Sequence, residues 1–451
     1  MRDLTTGHEG KRILYFAIPM LLGNLFQQLY NIVDSVVIGR GVGTEALAAV
    51  GSSFPLIFVL ISMIIGLASG STIIISQYFG AKDIEKVKKT IETMFIYLFF
   101  ASLAVSIIGI SLSGPIFRLI DVPEDVIPQA RTYFNIYIGG IVLLFGFNGT
   151  SAILRGLGDS KTPLYFMIVA TMMNIGLDLL FILVFKWGVV GAAVATLISQ
   201  GGAFITAIIY LNRTHDIIQI TISKLRFDRD IFNKSMRIGL PSGFQQTFVA
   251  IGMLALLKIV NMYDTNTLAA YTVAGRLDMF AALPAMNFAA ALSAFVGQNI
   301  GANKIHRVHN GFKATLWMSS AISIAVSILI FFFGHSLMSL FTKDPEVILI
   351  GNDYLVIVSS FYVVFSFMFI CNAVLRGAGD TLVPMIVTLL ALWVIRVPAS
   401  YFLSLHYGVH GIWWGVPIAW GFGAVMSYIY YKTGRWKTKG VVKYDQTGNP
   451  R

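Results

Sequence analysis

Asp34 and Asp178 are carboxylates in places where a carboxylate is costly. Asp34 closes the stretch Pro19 to Asp34, inside an apolar segment from about Ile13 to Gly39 that is long enough to cross a bilayer. Asp178 sits mid-way along a second such segment, in the run Met172 to Phe181. An ionised Asp at the centre of a membrane costs roughly 2.5 kcal/mol or more, so it normally faces a water-filled cavity or a partner. A buried carboxyl favours its protonated form, and a second carboxyl nearby adds to that preference. Such a pair shares a proton and titrates as a unit. Binding an organic cation favours the ionised form and protonation favours release, which is the thermodynamic core of antiport. One pH unit supplies about 1.4 kcal/mol per proton, and 100 mV about 2.3 kcal/mol per charge. The competing reading is that the two aspartates are structural polar groups tying helices together. Asn174 stands four residues before Asp178, on the same helix face. Its carbonyl oxygen suits either Na⁺ or a hydrogen-bond relay.

The elements that must hold these residues are membrane helices. Of 451 residues, 56% are hydrophobic and only 12% charged, with a mean hydropathy of +0.75. A water-soluble fold could not hide that surface. The apolar runs exceed the roughly 20 residues a spanning helix needs and lack the alternation of barrel strands. The segment after the short basic start, Met1 to Arg12, is too long and polar for a cleaved signal peptide. A single cysteine, Cys371, excludes an internal disulfide. A net charge of +11 could suit nucleic acid, but basic loops on one membrane face explain it more simply, and no nucleic-acid partner is expected.

The sequence predicts an all-α integral membrane protein with twelve spans, near 13–39, 46–79, 91–119, 128–154, 163–186, 188–212, 238–262, 267–300, 313–341, 348–375, 384–406 and 409–431. Alternate gaps gather the basic residues, leaving the other side only Arg40, Arg118, Arg131, Lys186 and Lys343. Positive-inside then puts both termini in the cytoplasm. The chain repeats itself 221 residues on: Leu47-Ala48-Ala49, Gln77 and Gly80-Ala81 recur as Leu268-Ala269-Ala270, Gln298 and Gly301-Ala302. Leu154-Arg155-Gly156 with Gly158-Asp159 recurs as Leu375-Arg376-Gly377 with Gly379-Asp380. Pro19 and Pro241 are placed at the opening of the first helix of each half. An even number of spans per half makes the repeats parallel, as two six-helix bundles related by a pseudo-two-fold along the membrane normal. The expected division is an N-lobe at 1–212, a cytoplasmic linker at 213–237, a C-lobe at 238–432 and a cytoplasmic tail at 433–451.

These motifs, spread over nearly the whole chain, resemble the multidrug and toxic compound extrusion (MATE) transporters, and within them the DinF-like bacterial branch. The resemblance implies a V-shaped pair of lobes in a bacterial inner or plasma membrane. It would export amphipathic, often cationic compounds in exchange for protons or Na⁺, as a monomer and without a cofactor. By motif, Asp34 and Asp178 match the family's N-lobe carboxylates. Asn174 and Thr196 match the neutral ligands beside them, and Na⁺ at Asp34, Asn174, Asp178 and Thr196 stays open. Tyr30, Tyr133 and Asn148 match the polar lining of the same cavity, and Pro19 the proline where the first helix bends. Relatives in the NorM branch keep a Glu in span seven and an Asp in span ten. The aligned positions here are Val249 and Phe365, which moves the weight to the N-lobe.

Each of Tyr30, Tyr133, Asn148 and Thr196 could equally be glue between helices. Gln27 and Gln28, with Gln245 and Gln246 in the second half, suit a polar cavity rim or plain helix–helix hydrogen bonds. Met173 belongs to a scattered set of methionines whose soft side chains suit a promiscuous cavity, or simply packing. Lys258, Arg276, Asp278 and Arg396 lie at or within second-half spans. They read as charge pairing and snorkelling, or as a basic lobe attracting anionic substrate groups. Gly156-Leu157-Gly158-Asp159 and Gly377-Ala378-Gly379-Asp380 resemble the signature of intramembrane aspartyl proteases, but their place at span ends beside Arg and before Pro reads as a helix-capping turn. No metalloprotease, phosphate-loop or nucleophile-elbow motif occurs, and the histidines lack metal-ligand spacing. The expectation is therefore a non-enzymatic antiporter. Its rival is a flippase for lipid-linked saccharides, which would lean on Lys258, Arg276 and Arg396.

Overall fold

The computed structural model describes residues 3–120, 122–214 and 225–444. Residues 215–224 of the predicted linker and 445–451 of the tail, with Arg2, Lys224 and Arg451 of the charge asymmetry, lie outside the described residues. Among the described residues every regular element is a helix. Ten helices are long and apolar enough to span, and two bent pairs raise the count to twelve. In order they are α1 (Glu9–Gly41), α2 (Thr44–Gly80), α3 (Ile84–Leu119), α4 (Ile127–Gly139), α5 (Ile141–Gly156), α6 (Lys161–Asp178), α7 (Gly188–Thr214) and α8 (Arg229–Val260). There follow α9 (Thr265–Gly301), α10 (Ile305–Ser339), α11 (Pro345–Ser359), α12 (Tyr362–Gly377), α13 (Leu382–Leu389), α14 (Val397–Tyr407) and α15 (Val409–Thr433). α6 runs on through a π-helical stretch, Leu179–Val184, and α13 reaches α14 through another, Leu390–Arg396.

The repeat seen in sequence is a repeat of structure. α2 and α9 are each 37 residues long, α5 and α12 each 16, and the α4–α5 and α11–α12 pairs each bend by 49°. Each bent pair occupies one expected span, the fourth and the tenth, and adds a bend that the apolar run does not mark. At the first of them, a Cβ on Gly140 would run into the Leu197 side chain, 2.4 Å away. The polar flanks also extend helices beyond the apolar runs. α8 begins at Arg229 rather than near 238, capped by Asp228, whose Oδ1 accepts the amides of Asp230 and Ile231 at 2.9 and 3.0 Å. Pro19 and Pro241 consequently lie inside α1 and α8, not at their openings.

Contacts divide the chain into two units that do not coincide with the sequence halves. Among the described residues unit 1 falls within Leu22–Gly243, and unit 2 is Asp3–Leu21 with residues 244–444. Thus α1 changes unit after Leu21 and α8 after Gly243. In unit 2, Ile13, Phe16 and Ala17 of α1 join a core with Leu292, Phe295 and Val374. The segment before α1 is tied down by polar contacts. The Leu4 amide donates to Gln298 Oε1 at 2.9 Å, and the Arg307 guanidinium reaches Gly7 O at 2.8 Å and Glu9 Oε1 at 3.2 Å. Gln298, first noted only as a repeated exit residue, therefore anchors the chain start.

In unit 1 the start of α8 lies on α2, glycine to glycine. A Cβ on Gly66 would stand 2.1 Å from Gly243 N, and one on Gly70 2.7 Å from Gly239 Cα. Gly-x-x-x-Gly on both helices permits this approach, and dispersion between close backbones holds it without a hydrophobic drive.

The two Gly-x-Gly-Asp loops form matching turns. The Asp159 amide donates to Leu154 O at 2.8 Å and the Asp380 amide to Leu375 O at 2.9 Å. Asp159 then caps α6 through Thr162 N and Thr162 Oγ1, at 3.1 and 2.7 Å, while Asp380 accepts from Tyr430 Oη at 2.6 Å. None of the ion pairs among the described residues joins Arg155 to Asp159 or Arg376 to Asp380.

Candidate functional site

Unit 1 brings the two carboxylates together. Asp34, on α1, is 8% exposed, and Asp178, the last residue of α6, is 0% exposed. Their carboxyls are close enough to hydrogen-bond one another. Two carboxylates can do so only when one carries a proton. No ion pair among the described residues includes either of them. Beyond that mutual contact, Asp34 Oδ1, both oxygens of Asp178 and both polar atoms of the buried Asn174 have no hydrogen-bond partner among the described residues. Native interiors rarely leave such groups unpaired, and each unpaired one costs about 1–3 kcal/mol. Asp178 also stands directly before the π-helical stretch, where the Phe185 amide reaches back to Leu180 O at 2.9 Å. The wider turn changes the side-chain phase just past the carboxylate, and such turns are frequent at functional sites.

Tyrosines crowd this pair. Tyr30 Oη lies 3.0 Å from Thr196 Oγ1, which also lies 3.1 Å from Ala192 O, so the two hydroxyls share a hydrogen bond. Tyr30 and Tyr133 are in electrostatic reach of both carboxyls. So, for Asp34, is Tyr137, whose ring lies 6.1 Å from that of Tyr133. Sequence reasoning missed Tyr137. Its signal was there, one helical turn after Tyr133 on α4.

Other predicted residues stand apart. Asn148 donates its side-chain amide to Leu144 O of its own helix at 2.9 Å, and no contact to the carboxyls accompanies it. Gln27 is exposed. Met173 packs toward α7, its Cε 2.9 Å from where a Cβ on Gly202 would be. Pro19 is buried, in unit 2, whereas the carboxylates belong to unit 1. Removing the Tyr137 hydroxyl takes away a polar neighbour of Asp34 and leaves the ring packing. Tyr137→Phe is therefore expected to leave the melting temperature unchanged, which a thermal melt beside the wild type would check.

A family model, MatE, matches the chain twice, over residues 19–180 and 241–402. The chain belongs to the MATE family. It is 34% identical over 436 residues to the "Probable multidrug resistance protein YpnP" of Bacillus subtilis (strain 168), covering 96% of this chain and 97% of that one. Among solved structures it is similar to a MATE protein in the straight conformation, at a TM-score of 0.90 and 26% identity over 97% of this chain and 98% of that one. It is also similar to a MATE protein in the bent conformation, at a TM-score of 0.89 and 27% identity over 97% of both. This MATE chain is accordingly a multi-pass membrane protein with the twelve-span fold of a multidrug efflux family.

Proposed function

We propose that this MATE protein is a secondary antiporter that exports amphipathic, cationic organic compounds in exchange for protons. The observation that carries the reading is the facing Asp34–Asp178 pair, buried and without a cationic partner. Deprotonated, the pair offers unpaired negative charge to an organic cation. Protonated, it closes on itself through one hydrogen bond and loses that attraction. The two ligands thus compete through one equilibrium, and the coupling is reciprocal. Na⁺ is the second reading, favoured by the free oxygens of Asp34, Asn174 and Asp178. Thr196, the fourth predicted ligand, spends its hydroxyl on Tyr30 and Ala192. The name of the Bacillus relative supports drug-like substrates, and the bent and straight conformations of the structural relatives support a conformational change, which this reading assigns to α1 near Pro19. The reading places the protein as a monomer in a bacterial inner membrane, termini in the cytoplasm, with no cofactor and no nucleic-acid partner.

The test is uptake of a fluorescent organic cation into inside-out vesicles under separately imposed gradients. A pH gradient alone is expected to drive accumulation. Accumulation driven only by Na⁺ would replace the proton by sodium at the same site. No accumulation under either gradient would overturn the antiport reading.

A further inference from the structure

Among the described residues the chain changes unit within α1 and again within α8. Of these two helices only α1 carries a carboxylate of the facing pair. The α8 position that matches Asp34, 221 residues on, is Ala255. Both helices are tied down at their starts. For α8 the ties lie in unit 1, where the Asp228 amide donates to Thr93 Oγ1 at 3.1 Å and Lys234 Nζ to Tyr78 Oη at 3.3 Å. For α1 they lie in unit 2, on the turn between α9 and α10.

There Leu4 and Thr5 are buried. Besides the bond from the Leu4 amide to Gln298, Asn299 Nδ2 donates to Leu4 O at 3.2 Å and Lys304 Nζ to Thr5 O at 3.0 Å. Arg307 is the hub. Its Nε donates to Asn299 Oδ1 at 3.0 Å, its Nη1 to Glu9 Oε1 at 3.2 Å and its Nη2 to Gly7 O at 2.8 Å, so all three guanidinium nitrogens are engaged. A planar fork of donors fixes several acceptors in one geometry, which an ammonium cannot do.

The first half lacks this hub, and the repeat shows why. The turn between α2 and α3 has a matching backbone, with Lys82 at a φ of 60° where Asn303 is at 58°. Its side chains differ. Lys304 and Arg307 match Asp83 and Lys86, which satisfy one another in an ion pair at 2.9 Å. Two cations on one turn cannot pair, so in the second half both take their acceptors from residues 4–9.

A helix fixed at its start in unit 2, and carrying Asp34 in unit 1, passes a displacement of either unit on to that carboxyl. We infer that residues 3–9 are the fixed foot of α1 and that Arg307 is a positioning residue for export. It keeps the foot on unit 2 through the cycle, so that a rearrangement there reaches Asp34 instead of being lost as slippage of the helix. The inference rests on the export reading above, and it leaves binding of the cation to the carboxyl pair unaffected.

The test separates binding from export in the full-length protein. Ethidium binding to purified protein is read by fluorescence anisotropy, and export by initial ethidium uptake into inside-out vesicles under a pH gradient. Arg307→Gln is expected to hold the Kd within roughly twofold of wild type and to lower the uptake rate roughly tenfold or more. Arg307→Lys, which keeps the charge without the fork, should fall between. Deleting residues 2–7 should reproduce that split while leaving the sequence of α10 intact. Thr93→Val, which removes the corresponding tie of α8, should export at close to the wild-type rate, because α8 carries Ala255 where α1 carries Asp34. Unchanged uptake after the deletion, loss of binding in step with uptake in both the deletion and Arg307→Gln, or an equal fall in Thr93→Val overturns the inference. Failure of the export reading shows elsewhere, as wild-type uptake that no gradient drives or that is indifferent to Asp34→Asn.

Discussion

Asp178→Asn is expected to abolish the proposed proton-driven export without weakening the fold. Asn keeps the shape of Asp and cannot exchange a proton, so the site is locked in a state like the protonated one. The expected fall in initial rate is about 100-fold or more, at least roughly 2.7 kcal/mol of coupling. Stability should move the other way, or not at all. Both Asp178 oxygens are buried with no partner but the Asp34 carboxyl among the described residues, and replacing one of two facing carboxyls by a neutral isostere removes a cost. A melting temperature equal to or a few degrees above wild type, beside a dead transporter, would mark a residue kept for function at the expense of stability. Asp34→Asn should behave alike, and the double variant should be no worse than either single one, because the pair works as a unit. Wild-type export by either variant, or lost activity that tracks lost folding, would return both aspartates to a structural role.

The other large effect lies in the helix packing. Gly66→Leu should leave little folded protein, since even its Cβ would overlap backbone atoms of Gly243 at 2.1 and 2.2 Å. A flexible side chain could swing aside, but a facing backbone moves only if the whole of α8 moves. Overpacking alone costs about 1–3 kcal/mol, and separating two helices adds the loss of their contact, which is enough to exhaust a marginal stability. Gly51→Ala on the same α2 is the control, because nothing lies within 4 Å of its added Cβ. It gains up to about 1 kcal/mol of helix propensity and should be neutral or mildly stabilising. Yield and thermal stability of the two variants, compared side by side, isolate the contact from the propensity. Equal behaviour of the two would remove the special standing of the Gly66–Gly243 crossing, which lies where α8 passes from unit 1 to unit 2.

What the sequence determined by itself was the number of spans, the duplication and the oddity of two carboxylates at membrane depth. Those features are written along the chain: a run of apolar residues measures a membrane crossing, the 221-residue offset records the repeat, and an Asp among leucines is conspicuous wherever the helix turns. Asn174 and Asp178 could be placed on one face because four residues make about one turn. Which way each face points was decided only in the tertiary structure. A helix apolar all round carries no stripe to orient it, so its rotation is set by neighbours far away in sequence. That is why the meeting of Asp34 on α1 with Asp178 on α6 became visible only in the fold, as did the entry of Tyr137 and the turning of Asn148 back onto Leu144 O. The same holds for Arg396, rather than Arg276, as the cation within electrostatic reach of Asp278. The breaks in the fourth and tenth spans and the π-helical stretches were hidden for a related reason. Both spans remain continuously apolar, and the close approach of Leu197 to Gly140, which leaves no room for a side chain at the bend, belongs to the tertiary packing.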